Sequence, residues 1–359
     1  MLIIHYIRID LNLGPFFIYG RRNISVDIYR LYSIFVLEFK IIIIQKTRRY
    51  IMKKINVLLS AYNGEKYIRE QIDSILAQSW ENIQLYVRDD GSSDGTAEIL
   101  KQYEAEGKII LELGKNVGFI KSFFWLVANS GEADYYAYAD QDDSWFEDKL
   151  KMAMEMLEKE VSEEENSSKP ILYFSNYDYY DGDLNFISHA FSEDEKKNPT
   201  FRNCLVDCMP LGFNSVFNKK AKDMMTEHVP KFSCGHDWWT YMVCQGMGRV
   251  VYDSRPTVKY RRTGNNVSAG GMDFVKFQIW RIKKFIIGGY FSNVRKMLAE
   301  YRHLYNDKLE TKDKKLLSLF TRKSYNPIVA LKKVFYPHMF RQGIVDEIML
   351  RFFFLIGRL

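Results

Sequence analysis

The chain has 359 residues, of which 47% are hydrophobic and 27% are charged, and its formal net charge is +6. This length suits one large α/β domain with an appendage, and the apolar content excludes an intrinsically disordered protein. The mild basic excess is compatible with a nucleotide ligand, an anionic membrane surface or ordinary surface charge, and it gives no sign of nucleic-acid binding.

The cysteines predict no disulfide framework. Their spacings match no common zinc pattern, although two nearby histidines keep a zinc site open as an alternative. Reduced thiols, as in cytoplasmic proteins, are the favoured interpretation. The residues concerned are Cys204, Cys208, Cys234, Cys244, His228 and His236.

Residues 1–51 differ from the rest because their apolar residues follow neither a helical nor a strand period. The most apolar part, residues 31–44, is interrupted by Glu38 and Lys40, and it is shorter than the roughly 20 apolar residues of a membrane span. It also lacks the cleavage site of a signal peptide. We therefore expect residues 1–51 to be a non-functional extension from an upstream start choice, and a chain beginning at Met52 to fold and to be as active as the full chain.

From residue 55 onward, buried-strand patterns alternate with helical ones. Continuous apolar runs predict strands, and apolar residues at helical spacing predict helices. The strands are expected at 55–60, 83–87, 109–113, 135–139 and 171–175, and the helices around 68–76, around 99–100, at 119–129 and at 146–160. This order predicts a mostly parallel sheet with helices on both faces, whose strands place ligand residues at their carboxyl ends.

Three further segments complete the predicted organisation. Residues 162–169 are polar and predict a surface loop, and residues 181–198 predict a mobile connection. Beyond Gly271, basic residues alternate with apolar ones in a helical pattern. The last helix, near residues 349–359, would either lie on a membrane surface or pack on the catalytic domain. The predicted domains are therefore 1–51, 52–270 and a helical region at 271–359.

An acidic run, Asp140, Gln141, Asp142 and Asp143, follows the predicted strand 135–139. Side chains two apart in an extended segment point the same way, so Asp140 and Asp142 can converge. Mg²⁺ and Mn²⁺ prefer such oxygen ligands and often complete their shells with phosphates. The alternative is a helix cap from Asp143 or Ser144.

Two other strand ends carry polar residues. After the first strand, Tyr62 could stack on a base, although Asn63 and Gly64 also form a strong turn signal. After the second strand, Asp89 and Asp90 could accept hydrogen bonds from a base or a ribose. Ser93 and Asp94 can cap the next helix, but a cap does not explain why two carboxylates, Asp89 and Asp90, stand side by side.

Four segments together, 57–63, 88–94, 140–145 and 236–239, resemble the inverting family 2 glycosyltransferases, and among them the rhamnosyltransferase-like enzymes of bacterial surface-polysaccharide synthesis. The resemblance covers residues 52–270. It implies a GT-A nucleotide-diphospho-sugar transferase fold, a three-layer α/β/α sandwich with a helical C-terminal appendage. It also implies a divalent cation, Mg²⁺ or Mn²⁺.

The resemblance further implies roles for individual residues. Tyr62 would stack on the base, Asp90 would read its edge and Asp140 would lie near the ribose. Asp142 would be the metal ligand, and Asp237 would be the catalytic base. The donor-binding set is Ser60, Tyr62, Asn63, Asp89, Asp90, Asn116, Gly118, Lys121, Asp140 and Arg261. The acceptor-side set is Gly212, His236 and Trp238.

The chain departs from the family pattern at Thr263, where the subgroup usually has a histidine near the diphosphate. Arg261 or Arg262 would then contact the phosphates. The Gln-x-x-Arg-Trp motif of processive relatives is absent, which favours transfer of a single sugar.

The resemblance implies dTDP-rhamnose as donor, a lipid-linked or polymeric glycan as acceptor, and a cytoplasmic location at the inner face of the plasma membrane. The alternatives are UDP-glucose or UDP-galactose as donor, or a non-catalytic nucleotide-sugar-binding assembly protein.

Overall fold

A computed structural model of the protein describes residues 52–163, 168–192, 194–263, 289–322 and 324–359. The described residues from Lys53 onward belong to one compact unit. The predicted N-terminal extension, 1–51, and the segment from Gly264 to Gly288 lie outside the described residues, so the predictions made for them stay predictions.

The first half of the sheet follows the predicted alternation. Strand β1, which is buried on both faces, pairs in parallel with both β2 and β4, and β2 pairs in parallel with β3. This arrangement brings the carboxyl ends of β1, β2 and β4 to one edge. The elements are β1 (Ile55–Ala61), α1 (Ile68–Leu76), β2 (Ile83–Asp89), α2 (Thr96–Ala105), β3 (Ile109–Leu113), α3 (Phe119–Asn129) and β4 (Tyr135–Ala139).

The second half of the sheet is mixed rather than parallel. Strand β8 runs antiparallel between β4 and β6, while β6 pairs in parallel with β9 and the two-residue β5 pairs antiparallel with β9. The elements are β5 (Ser144–Trp145), α4 (Lys149–Ser162), β6 (Ile171–Tyr180), β7 (Phe186–His189), α5 (Phe201–Cys204), β8 (Ser215–Asn218), α6 (Lys219–Glu227), α7 (His236–Met247) and β9 (Arg249–Arg261).

Two local predictions need correction. The helix expected from Phe146 begins at Lys149, because Ser144 and Trp145 form β5 and extend the backbone before it. The predicted connection 181–198 contains β7, which folds back on a longer β6 through the pairing of Tyr179 with Ser188. The four residues of β7 are all exposed. The strand therefore lacks the alternation of apolar and polar residues from which a half-buried strand is predicted.

Four α-helices lie in the described part of the C-terminal region: α8 (Tyr290–Tyr305), α9 (Thr311–Phe320), α10 (Pro327–Val334) and α11 (Ile344–Leu355). Helix α8 is anchored to the catalytic half by two buried hydroxyls. Tyr301 donates to the Met242 carbonyl at 2.8 Å, and Tyr305 donates to the Met224 carbonyl at 2.9 Å. The inner faces of α8, α9 and α11 share one apolar core with α7. In the described part of the chain, no helix is both long and apolar enough to cross a membrane.

Candidate active site

The ends of β1, β2 and β4 are joined by hydrogen bonds. The Asp90 amide donates to the Ala61 carbonyl at 2.7 Å. The Gln141 side chain pairs with the Tyr62 backbone, accepting from its N–H at 2.7 Å and donating to its carbonyl at 2.9 Å. The acidic run is therefore fixed against the end of β1, at the edge where the sequence predicted the site.

The turn after β1 keeps the Tyr62 ring accessible. Asn63 adopts a left-handed backbone conformation, with φ of 49°, which asparagine tolerates better than most residues. Its amide donates to the Ser92 hydroxyl at 2.9 Å, and its side-chain oxygen accepts from the Ser93 amide at 2.8 Å. Tyr62 is 47% exposed, so its ring is available for stacking.

The two carboxylates after β2 are buried and hydrogen-bonded within the protein. Asp89 accepts from the amide of Ser92 at 3.1 Å and from its hydroxyl. Asp90 accepts from the Val117 and Gly118 amides, each at 2.9 Å, and from Arg88. In this conformation Asp90 organises the loop before α3, and its predicted contact with a base stays a prediction.

Arg88 is a buried cation that the sequence did not single out. Besides Asp90, its guanidinium donates to the Ser122 hydroxyl at 3.0 Å and to the Lys115 carbonyl at 3.0 Å. The Ser122 hydroxyl also lies 2.6 Å from that of Ser60. Ser60, predicted to bind the donor, is thus joined to the same network.

The predicted donor-lining segment lies on the surface beside Asp90. Asn116 accepts from the Gly118 amide at 3.2 Å. Gly118 precedes α3 with φ of 83°, a conformation that favours glycine. The side chains of Asn116 and Lys121 are exposed, which leaves them free to meet a ligand at this edge.

Asp140 and Asp142 are half-buried, and the charges of Asp142 and Asp237 both act on Asp140. Burial, together with the negative charges of Asp142 and Asp237, raises the pKa of Asp140 to about 7. Burial also raises the pKa of Asp142, against the opposing effect of Arg261. These shifts indicate carboxylates that lack the water and counter-charge they need to ionise freely.

The two carboxylates fit a divalent cation. Within the described ranges, no other residue donates a hydrogen bond to the side chain of Asp140 or Asp142, so their oxygens have unused capacity as ligands. No group of three or more potential ligand side chains was found among the same residues. A hard cation here would need water or phosphate oxygens to complete its shell. The same finding gives no support in these ranges to the alternative zinc site.

Hydrogen bonds from Arg261 to the residues of the acidic run hold this run in place. The Arg261 amide donates to Asp143 at 3.0 Å, and its Nε donates to the Asp142 carbonyl at 2.8 Å. Its guanidinium also bonds Glu70 and the Gly182 carbonyl, and it is 1% exposed. In this conformation Arg261 supports the acidic run, and the phosphate contact predicted for it stays a prediction. Asp143 does not cap α4, contrary to the alternative above.

Lys149 is a second buried cation that sequence reasoning missed. It is fully buried at the start of α4, and its ammonium lies 4.8 Å from the centre of the Trp145 ring. Burial lowers the pKa of Lys149 to about 7, against the opposing charge of Asp143. Its signal in the sequence was only its place six residues after an acidic run.

Asp237 lies in the first turn of α7, directly after His236. The Trp238 amide donates to its carboxylate at 2.7 Å, and the positive end of the helix favours a negative charge at this position. The carboxylate is half-exposed, and its charge reaches Asp140 across the site. The start of α7 thus brings a carboxylate towards the acidic run at the end of β4.

The predicted acceptor-side residues meet, but they are buried. The His236 ring stacks on Phe123 with 3.8 Å between ring centres, and Tyr138 meets its edge at 4.7 Å. A Cβ at Gly212 would lie 2.7 Å from His236 Nε2, so only glycine allows this approach. Trp238 lies in the core, where its Nε1 donates to the Cys204 carbonyl at 2.7 Å. Sugar stacking on Trp238 is therefore not available in this conformation.

Residues 56–216 match the family model described as glycosyl transferase family 2. The chain is 28% identical over 231 residues to dTDP-rhamnosyl transferase RfbG of Shigella flexneri, covering 60% of this chain and 75% of that protein. TuaG of Bacillus subtilis, provisionally named a teichuronic acid biosynthesis glycosyltransferase, is 24% identical over 222 residues, covering 60% of this chain and 81% of that protein.

Similar solved structures include residues 1–349 of S. aureus TarS in complex with UDP-GlcNAc, at 14% identity and a TM-score of 0.49, covering 85% of this chain and 91% of that one. Residues 56–216 are therefore similar to a glycosyltransferase family 2 domain, and the predicted enzyme class, a glycosyltransferase, is confirmed. The predicted α/β fold with a C-terminal helical region is confirmed.

We predict that His236 makes stability depend on pH. Burial lowers the pKa of His236 to about 4, although Asp237 opposes this effect. In the unfolded chain His236 would have its ordinary pKa of about 6.5. Below that pH the unfolded chain therefore binds more protons than the folded chain does. The contribution of His236 to the free energy of unfolding should fall by about 2 kcal/mol from pH 7 to pH 5.

The measurement compares chemical unfolding of the wild type and His236→Gln at both pH values. The variant should lose less stability on acidification, while His303→Gln, at an exposed histidine, should behave as the wild type does. The same pH dependence in all three proteins would show that His236 is not a neutral, buried group.

Proposed function

We propose, starting from the family 2 glycosyltransferase domain, that this protein transfers a single sugar with inversion from a nucleotide-sugar donor to a growing cell-surface polysaccharide. The proposal is carried by one observation: a third carboxylate, Asp237, held on a different element, acts through its charge on Asp140 of the half-buried pair Asp140 and Asp142. Such a layout separates a cation-binding side from a side where a base can act.

Inversion needs in-line attack by an acceptor hydroxyl on the anomeric carbon. In our proposal Asp237 accepts the hydroxyl proton as the new bond forms, and no covalent enzyme intermediate is required. The start of α7 keeps this carboxylate oriented through the Trp238 amide. Tyr62 stacks on the base, and the acidic run faces the diphosphate. A divalent cation bound by Asp142 would neutralise the charge that develops on the leaving diphosphate.

The preferred donor is dTDP-rhamnose. The support is the resemblance of the four motifs to rhamnosyltransferase-like enzymes, together with the similarity to RfbG. UDP-glucose or UDP-galactose is the second candidate donor, since the site residues named here do not by themselves select a sugar. We propose that the acceptor is lipid-linked or polymeric, and that the protein works at the cytoplasmic face of the plasma membrane.

Asp142→Ala should weaken binding of the donor nucleotide and remove its response to Mn²⁺. The reason is that the substitution takes a ligand from the cation that screens the diphosphate. The measurement is calorimetric titration with dTDP, with and without Mn²⁺. Glu147→Ala removes an exposed carboxylate close by in the sequence and should leave both affinities unchanged. Equal affinity for dTDP with and without Mn²⁺, in both the wild type and Asp142→Ala, would show that Asp142 does not bind a metal that screens the diphosphate.

Asp237→Asn should spare donor binding and lower the rate of sugar transfer by about 10²–10⁴-fold, the usual cost of losing a general base. The fold should survive, because an asparagine oxygen can still accept from the Trp238 amide. The measurement pairs donor affinity by calorimetry with product analysis, and Asp307→Asn, at an exposed site, is the control. Transfer within about threefold of wild type would assign the base to another residue. Wild-type protein that binds donor but never hydrolyses or transfers it would favour the non-catalytic alternative.

A further inference from the structure

We propose that the outward side of α10 and α11 docks on an anionic lipid bilayer. We call this surface the α10–α11 face, and its large apolar side chains are all exposed. The most exposed are Phe335 at 76%, Ile344 at 71%, Val345 at 69% and Ile328 at 66%. The others are Tyr325, Leu331, Ile348, Met349, Phe352, Leu355 and Ile356.

Helix α11 is apolar on both sides, which is unusual for a helix at a protein surface. Its inner side, with Leu350, Phe353 and Phe354, belongs to the core. Its outer side carries residues such as Ile348 and Phe352 at one-turn spacing, which are 63% and 52% exposed. Large apolar residues that stay exposed along one side of a helix mark a site of interaction rather than ordinary surface.

The charges around the α10–α11 face suit anionic headgroups. Lys332 and Arg358 are exposed. In contrast, Glu347 is buried, where it accepts from the Phe340 amide at 2.8 Å and also bonds Arg351. In the described residues from 324 to 359 the only other side-chain carboxylate, Asp346, is half-buried. The basic side chains of this surface are thus exposed and its carboxylates are buried or half-buried, which is the pattern of a membrane-surface helix.

The same charges argue against a second copy of the chain as the occupant. A two-fold symmetric contact places the same patch on both partners. Both copies would then bring Lys332 and Arg358 into the contact, and among the described residues 324–359 no exposed side-chain carboxylate is present to pair with them. A bilayer with anionic lipid satisfies the apolar residues and the cations together.

The α10–α11 face is connected through packed side chains to the helix that carries Asp237. The Lys333 ammonium donates to the Leu359 carbonyl and so ties the end of the chain to α10. Phe353 of α11 contacts Phe291 of α8 at 4.9 Å between ring centres. The neighbouring Tyr290 ring lies 6.3 Å from that of Trp238, next to Asp237. If the acceptor is lipid-linked, as proposed above, docking would hold the enzyme at the surface where that acceptor resides. Only this last step rests on the proposed function.

The test is co-flotation of the full chain with vesicles of phosphatidylcholine, with and without added phosphatidylglycerol. We expect binding to favour the anionic vesicles by about 30-fold, since each basic residue near the surface contributes about fivefold. Phe335→Ser/Ile344→Ser/Ile348→Ser should weaken binding by at least about tenfold. Lys332→Glu/Arg358→Glu should abolish the preference for anionic lipid. The matched control, Ile110→Ser/Ile187→Ser/Val229→Ser, replaces three exposed apolar residues elsewhere and should bind as the wild type does.

Three results would overturn the inference. The first is that the full chain fails to float with anionic vesicles. The second is that the variant with three serines in the α10–α11 face binds as well as the control, which would assign the contact to another segment. Alternatively, wild type would form a dimer in solution that only the α10–α11 variant abolishes, which would make the face a self-association surface. Calorimetric binding of dTDP with Mn²⁺ separates this test from the proposed function, because nucleotide binding should be unchanged in every docking variant.

Discussion

The active site depends on how the protein holds three carboxylates within four consecutive positions after β4. Asp140 and Asp142 are half-buried and Asp143 is fully buried, so their charges repel one another in a region with little water. Arg261 offsets this cost by bonding Asp143 and the Asp142 backbone. Arg261 thus stabilises the acidic loop, while no described residue donates a hydrogen bond to the side chains of Asp140 and Asp142, which is the arrangement that a cation would need.

This support also explains how distant segments form one site. The guanidinium of Arg261 comes from the end of β9 and also bonds Glu70 on α1. On the other side, the side chain of Gln141 is paired with the Tyr62 backbone. These hydrogen bonds therefore hold strand ends that are far apart in sequence against the acidic loop. Helix α7 then adds Asp237, the carboxylate proposed as the base, from outside the sheet.

Much of this could be predicted from the sequence, because strand periodicity and strand-end polar residues are local signals. The bounds of β3, α3 and β4 agree with the predicted ones. The buried cations Arg88 and Lys149 could not be predicted, since their burial depends on partners that only the tertiary fold supplies. For the same reason Arg261 was expected to face phosphate, yet its guanidinium is enclosed. Trp238 was expected on the acceptor side, and the structure places it in the core.

The most direct test of the account is a thermal-shift screen of nucleotide sugars with and without Mn²⁺. A ligand that binds only the folded state raises the melting temperature, and the stabilisation grows with the logarithm of its concentration relative to its Kd. We predict that dTDP-rhamnose raises the melting temperature more than UDP-glucose or UDP-galactose, and does so only when Mn²⁺ or Mg²⁺ is present. If no nucleotide sugar shifted the melting temperature, or if the shift were the same without metal, the acidic loop would not be a cation-dependent donor site.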